Sequence, residues 1–249
     1  MTTRQTPMVV TPLSQSSDTL LLLETLAFSA RAHEKQKRKN AQVSTRCDRS
    51  MDWSTLQRIP SHATPGGGGG RGRYDLGQSK IGTPYIQHPL DVARRIAAPP
   101  SSLAPSPDLK ILQTAILHDT IEDTDVTPDE LERNFGTEVM QIVMECTDDG
   151  TRSKAERKQS QIDRAASRSF EAQQVKLADK WSNLTDLTVD VPIGWTAQRV
   201  QEYFVWSKKV VDGCKGANPG MEAALDDLFK SATFQHEGET YKCHPTYWG

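Results

Sequence analysis

Apolar residues recur at helical spacing along most of this 249-residue chain, and no stretch alternates for long enough to predict a sheet. The first helix is predicted to begin at Ser17 or Asp18, both good N-cap residues, and to run to Lys39. Further helices are predicted at 88–98, after the cap Ser106–Asp108, and at 128–136, 137–147, 153–166, 170–188, 197–215 and 218–231. The pattern therefore predicts an all-α helical bundle.

Three stretches fall outside this pattern. Residues 40–81 carry Ser, Arg, Pro and a run of five glycines, a composition that cannot bury enough apolar surface to order itself. We expect a disordered, flexible insert there, inside one domain that spans 17–231. Residues 1–16 and the tail 232–249 are also expected to be disordered.

The segment Leu112–Thr124, L-Q-T-A-I-L-H-D-T-I-E-D-T, places four ionisable side chains in an apolar helical stretch. They fall one helical turn apart in two pairs, His118 with Glu122 and Asp119 with Asp123. Carboxylates this close repel each other and are costly to desolvate, and a divalent metal neutralises them. A solvated acidic face is the alternative, but Leu117 and Ile121 interleave the charges.

Two other segments offer further metal ligands. His88 stands just before Pro89, a residue that suits the first turn of a helix. Asp179 follows an apolar run, with Asn183 one helical turn later. Taken singly, a histidine such as His88 is more often a capping or core residue, and an aspartate such as Asp179 a surface residue of an amphipathic helix. The combination of H, then H-D, then D predicts one mononuclear metal site.

The segments P-Y-I-Q-H-P-L, I-L-H-D-T-I-E-D-T and V-K-L-A-D-K-W-S-N-L-T-D-L resemble the hydrolase domain of the RelA/SpoT proteins. These form a branch of the HD-domain metal-dependent phosphohydrolases, and the H-D-x-x-E-D signature distinguishes them from the wider superfamily. With T-D-D-G-T-R-S-K-A-E-R-K and G-W-T-A-Q-R-V-Q-E-Y-F-V-W, and no synthetase or regulatory region, the chain looks most like the small stand-alone animal branch.

The resemblance implies an all-α fold and a 3′-pyrophosphohydrolase of guanosine 3′,5′-bis(diphosphate), ppGpp, which would degrade this alarmone in a starvation or stringent-type response. It implies one Mn²⁺ per chain, with Fe²⁺ or Zn²⁺ as alternatives. The implied metal ligands are His88, His118, Asp119 and Asp179. Glu122 and Asp123 would orient and deprotonate the attacking water, with purely structural support as the alternative.

Family positions also imply a set of residues that bind the phosphates and the nucleoside: Arg38, Lys39, Lys154, Asn183, Arg199 and Tyr203. The chain departs from the family at Gly150, where relatives often carry lysine, so one phosphate contact is expected to be missing. The long insert is a second departure.

Two other functions remain open. The animal-type resemblance also implies removal of the 2′-phosphate of NADPH in the same pocket. The third possibility is a catalytically inactive helical module that binds nucleotide without turnover. The complete set of histidines and carboxylates favours an enzyme over that module.

Composition limits the remaining classes of function. A net charge of −2 gives no overall basic field to recruit nucleic acid or membranes, and the longest apolar run, Leu20–Leu23, is too short to span a bilayer. The four cysteines form no C-x-x-C pair, a pattern typical of reduced thiols; they are Cys47, Cys146, Cys214 and Cys243. We expect a cytoplasmic protein with a small-molecule nucleotide substrate, and the sequence leaves its oligomeric state open.

Overall fold

A computed structural model describes residues 16–38, 84–98 and 108–247 of the chain. The N-terminal residues expected to be disordered, all but Ser16, lie outside these ranges, as do the insert and Lys39. The helices are α1 Ser16–Ala32, α2 Gln87–Ala97, α3 Leu109–Leu117, α4 Thr120–Asp123, α5 Pro128–Phe135, α6 Thr137–Cys146, α7 Lys154–Arg164, α8 Phe170–Val189, α9 Ala197–Gly213 and α10 Pro219–Ser231. The predicted all-α class is confirmed.

Side-chain caps explain where several helices begin. The Thr127 hydroxyl accepts a hydrogen bond from the Glu130 amide at the start of α5, and Pro128 occupies the first turn. At α7, Ser153 and Glu156 form a reciprocal capping box. The side chain of Asp108 accepts from the Lys110 amide and caps α3, as the sequence predicted.

Helix α8 is the centre of the bundle. It packs against α2, α3, α6, α9 and α10. Its residues Val175, Leu177, Ala178 and Leu184 are completely buried. A helix enclosed on this many sides can hold a charged residue only if neighbouring groups compensate it, which constrains where Asp179 can lie. Helix α1 packs on α3, and α5 packs on α6.

Two helix boundaries differ from the prediction. Helix α1 ends at Ala32 and not at Lys39, because the next residues leave the helix and Lys37 forms an antiparallel bridge with Pro84. The helix that leads to His118 ends at Leu117, and α4 is a separate turn. The spacing had predicted one continuous helix through these four ionisable residues. The structure instead divides the segment between the end of α3 and the short helix α4.

The prediction of a disordered tail is wrong for most of that segment. Strands β1 Thr233–His236 and β2 Glu239–Lys242 form an antiparallel hairpin. Both turn residues, Glu237 and Gly238, have positive φ, as the type I′ turn of a two-residue hairpin requires. Phe234 and Cys243 are buried against the helices, and this apolar burial stabilises the hairpin. Its strands are too short for the sequence pattern to predict them.

The cysteine prediction is confirmed where the structure tests it. Cys146, Cys214 and Cys243 are free and buried. Burial raises the pKa of the Cys146 and Cys214 thiols to about 11, so both stay protonated at neutral pH. Cys47 lies outside the described residues.

We expect Gly213→Ala to destabilise the fold. A Cβ atom at this position in α9 would lie 2.5 Å from the Cβ of Ala165, so the two segments would have to move apart. Overpacking of this kind costs about 1–3 kcal/mol, which outweighs the gain of about 0.5–1 kcal/mol for Gly→Ala in an open helix. Urea denaturation measures the free energy of unfolding. The control is Gly150→Ala, whose Cβ would meet nothing within 4 Å; an equal effect in both variants would contradict the explanation.

Candidate metal centre and adjoining cleft

Four side chains from three regions of the bundle converge at one buried point. His88 lies in the first turn of α2, His118 and Asp119 lie between α3 and α4, and Asp179 lies within α8. His118 Nε2 is 3.1 Å from Asp119 Oδ2, and His88 Nε2 is 3.2 Å from Asp179 Oδ1. His88 Nε2 also lies 3.7 Å from Asp119 Oδ2, and His118 Nε2 lies 3.9 Å from Asp179 Oδ1. The structure thus brings together all four residues that the sequence predicted as ligands.

The two imidazoles are oriented for ligation through Nε2. His118 Nδ1 lies 2.8 Å from the carbonyl oxygen of Ala115 and donates to it, which leaves Nε2 as a lone-pair donor. His88 Nδ1 faces the Ser182 hydroxyl at 3.2 Å. His118 Nε2 is inaccessible to solvent and has no hydrogen bond of acceptable geometry within the described part of the chain. This donor set fits a divalent cation.

The electrostatics of the cluster favour a positive charge between its carboxylates. Burial alone would lower the pKa of His118, but the carboxylates of Asp119 and Asp179 outweigh it and raise that pKa to about 9. Burial alone would raise the pKa of both carboxyls. His118 nevertheless holds the pKa of Asp119 below its usual range, and Lys180 does the same for Asp179. The two carboxylates stay ionised inside the protein, so they attract either a proton or a metal ion to the cluster.

Three residues hold the two carboxylates, and sequence reasoning missed two of them, Tyr85 and Lys180. The Tyr85 hydroxyl donates to Asp119 Oδ2 at 2.6 Å. Lys180 Nζ lies 3.0 Å from Asp179 Oδ2, and Asn183 Nδ2 donates to Asp179 Oδ1 at 2.6 Å. Tyr85 stands three residues before His88, and this spacing across the start of a helix was the available signal. The sequence offered no such signal for Lys180, because a lysine in an amphipathic pattern normally indicates the solvent-exposed side of a helix.

Glu122 and Asp123 lie on α4, directly after the His118–Asp119 pair. Burial raises the pKa of Glu122, and the nearby carboxylates of Asp148 and Asp119 raise it further. Burial and Asp119 also raise the pKa of Asp123. The backbone amide of Asp148 donates to Glu122 Oε2 at 3.2 Å. Carboxylates with raised pKa values can act as proton acceptors, and these two lie beside the candidate metal centre.

A cleft of about 520 Å³ adjoins the cluster and includes Tyr85 and Asp123 in its walls. Three of the predicted substrate residues also line it: Arg38, Asn183 and Tyr203. Arg38 forms an ion pair with Asp186, with 2.7 Å between Nη2 and Oδ2. The cleft is large enough for a small ligand and opens beside the predicted catalytic carboxylates.

Two other predicted cations, Arg199 and Lys154, are not among the described residues that line this cleft. The Arg199 guanidinium stacks 4.2 Å from the ring centroid of Trp195, which does line it. Lys154 is exposed at the first position of α7. Lys158 lies nearby, and burial together with the charges of Lys154, Lys180 and Arg199 lowers its pKa. These cations repel one another, which makes this side of the site attractive to an anion.

Comparisons with known proteins agree with this geometry. The family model of the HD domain matches residues 73–201. The guanosine-3′,5′-bis(diphosphate) 3′-pyrophosphohydrolase MESH1 of Homo sapiens is 40% identical over 214 residues, which cover 86% of this chain and 96% of that protein. The corresponding protein of Mus musculus is 50% identical over 149 residues, which cover 60% of this chain and 81% of that one.

This chain belongs to the MESH1 family of HD-domain proteins. A solved structure, described as a metazoan ortholog of SpoT that hydrolyses ppGpp and plays a role in starvation responses, superposes with a TM-score of 0.64. It is 35% identical in sequence and covers 84% of this chain and 93% of its own. The resemblance to the RelA/SpoT hydrolases is confirmed. Within the described ranges, no helix is long and apolar enough to cross a membrane.

Proposed function

We propose that this chain is a metal-dependent hydrolase that converts guanosine 3′,5′-bis(diphosphate) to GDP and pyrophosphate and so degrades this alarmone. The observation that carries the proposal is the buried cluster of His88, His118, Asp119 and Asp179 beside a cleft that includes Asp123. Support also comes from relatives that carry this activity in their names and that match over nearly their whole length.

The proposed ion is one Mn²⁺, held by His88, His118, Asp119 and Asp179. Two imidazoles and two carboxylates suit Mn²⁺, and Fe²⁺ or Zn²⁺ are the alternatives. The bound ion would polarise a phosphoryl oxygen and lower the pKa of a water molecule. Tyr85 and Lys180 would hold the ligand carboxylates through the contacts that they make with Asp119 and Asp179.

Glu122 and Asp123 are proposed to take the proton from the attacking water. The new bond forms between the water oxygen and the phosphorus attached to the ribose 3′-oxygen, and the bond from that phosphorus to the 3′-oxygen breaks. The 3′-oxygen leaves as a hydroxyl with a proton returned by the same carboxylic acid, and pyrophosphate leaves as a unit. The raised pKa values of the Glu122 and Asp123 carboxyls favour this exchange of a proton.

Cationic and aromatic side chains are proposed to bind the polyanion. Arg38, Arg199 and Lys154 would pair with phosphate oxygens, while Asn183 and Tyr203 would contact the nucleoside. Lys39 keeps its predicted role but lies outside the described residues. The cytoplasmic location, the independence from nucleic acid and the domain limits at 17 and 231 stay predictions.

Removal of a ligand should remove metal and activity together. We expect His88→Ala and Asp179→Asn each to lose most of the bound manganese, because the three ligands that remain form an incomplete site. Metal content is measured by elemental analysis after gel filtration. His236→Ala, in the C-terminal hairpin, is the matched control and should retain wild-type metal. Full occupancy in His88→Ala would remove that residue from the ligand set.

Isosteric changes at the two carboxylates should separate chemistry from binding. Glu122→Gln and Asp123→Asn keep the shape and lose the basicity, so kcat should fall roughly 100-fold or more while manganese and substrate still bind. Steady-state kinetics and metal analysis test this, with Glu138→Gln, at an exposed ion pair with Lys110, as the control. A kcat near wild type in both variants would assign the proton transfer to other groups.

The initial products identify which bond breaks. Hydrolysis at the 3′-phosphorus of ppGpp should release GDP and pyrophosphate in equal amounts from the first time point. Anion-exchange chromatography separates these from orthophosphate. Orthophosphate as the first product would contradict the proposed reaction, and efficient conversion of NADPH to NADH with no turnover of ppGpp would favour the alternative phosphatase.

A further inference from the structure

Helix α1 and the residues that follow it contact both sides of the segment that carries His118, Asp119, Glu122 and Asp123. On one side, the Ser29 hydroxyl donates to the carbonyl oxygen of Ile116 at 2.8 Å. On the other, Gln36 Nε2 donates to the carbonyl oxygen of Asp123. A segment distant in sequence thus holds the turn between α3 and α4 at each end.

Both the nitrogen and the oxygen of the Gln36 side-chain amide form hydrogen bonds. Its nitrogen donates to Asp123, and its oxygen lies 2.5 Å from His33 Nδ1. An amide nitrogen cannot accept a hydrogen bond, so the Gln36 oxygen is the acceptor and His33 carries its proton on Nδ1. His33 is only 2% exposed, so its ring cannot turn freely away from this contact. His33 therefore fixes the direction in which the Gln36 amide points.

The backbone of Gln36 is also fixed. Its amide donates to the carbonyl oxygen of His33 at 2.9 Å, and its carbonyl oxygen accepts from the Tyr85 amide at 3.2 Å. The His33 ring contacts the Tyr85 ring at a centroid distance of 4.9 Å, and the Tyr85 hydroxyl reaches Asp119. The same small assembly therefore contacts Asp119 through Tyr85 and Asp123 through Gln36.

Helix α4 depends on such contacts because it has only four residues. Its turn is closed by backbone bonds from Asp123 to Asp119, at 2.9 Å, and from Thr124 to Thr120, at 3.1 Å. A single helical turn is unstable by itself, since nucleation fixes many dihedral angles for few hydrogen bonds. The direction of the Glu122 and Asp123 side chains is then set by whatever anchors the end of α4.

We propose that Gln36 is a positioning residue, whose amide, oriented by His33, anchors the Asp123 carbonyl and so aims the two carboxylates of α4. This role rests on the proposed function, because it assumes that those carboxylates handle the proton of the attacking water. Gln36 lines the cleft but is not one of the predicted metal ligands, substrate cations or proton acceptors. Its loss should therefore change the chemical step more than metal or substrate binding.

Two variants test the anchor. Gln36→Glu replaces the donor nitrogen by an oxygen of the same size, and Gln36→Met removes the hydrogen bond without adding charge. We expect kcat to fall roughly 10- to 100-fold in both, as a misplaced catalytic group does, with KM within about 2-fold and manganese content unchanged. Amide hydrogen exchange at residues 119–124 should become faster in both variants, a readout that needs no substrate.

Gln201→Glu is the matched control. Gln201 Nε2 also donates to a distant backbone carbonyl, that of Lys242 at 2.9 Å, and joins α9 to the C-terminal hairpin. This variant should lower thermal stability and leave kcat and exchange at 119–124 unchanged.

Several results would overturn the proposal. These are a wild-type kcat in either Gln36 variant, an equal loss of kcat in Gln201→Glu, or a loss of manganese that accounts for the lost activity. If the wild-type protein releases no pyrophosphate from ppGpp, the proposed function fails. The exchange measurement then decides the anchor alone, and unchanged exchange at 119–124 in both variants would refute it.

Discussion

The buried charges around His118 are the constraint on which the rest of the structure depends. Two imidazoles and two carboxylates face each other inside a helical core, with the His88 and His118 side chains 3% and 2% exposed. Such charges are costly to desolvate unless they are paired and hydrogen-bonded. The start of α2, the end of α3 and the middle of α8 meet at this point. The packing of the bundle therefore sets the geometry of the cluster.

The interruption between α3 and α4 follows from that constraint. The His118 Nδ1 contact with Ala115 turns Nε2 toward the cluster, and Asp119 leaves regular helical geometry at φ −99° and ψ −4°. The turn that follows the break is still helical, because the Asp123 amide donates to the Asp119 carbonyl oxygen at 2.9 Å. Asp119 faces the two histidines, and Asp123, one turn later, lies in the wall of the cleft.

The charged side chains in the cleft and beside it form two groups. In the wall of the cleft, the Asp186 carboxylate forms an ion pair with Arg38 and holds this cation in place. On the side of α7 and α9, lysines and Arg199 lie close enough to repel one another, and aromatic rings cover them: Lys158 and Lys180 each lie within 5 Å of the Trp206 ring centroid, at 4.8 and 4.5 Å. A polyphosphate would relieve that repulsion, which links the surface to the proposed substrate.

The sequence by itself determined the helical class, most helix positions and all four residues of the buried cluster, because helical periodicity and ionisable groups in apolar segments are local signals. Only the tertiary structure decided where α1 ends, where the helix breaks at His118, and that the tail forms a hairpin. These outcomes depend on partners distant in the chain: Pro84 for Lys37, Asp179 for His118, and the helices that bury Phe234. Lys180 and Gln36 were missed for the same reason, since neither the burial of a lysine nor the reach of a glutamine amide to Asp123 is encoded in its neighbours along the sequence.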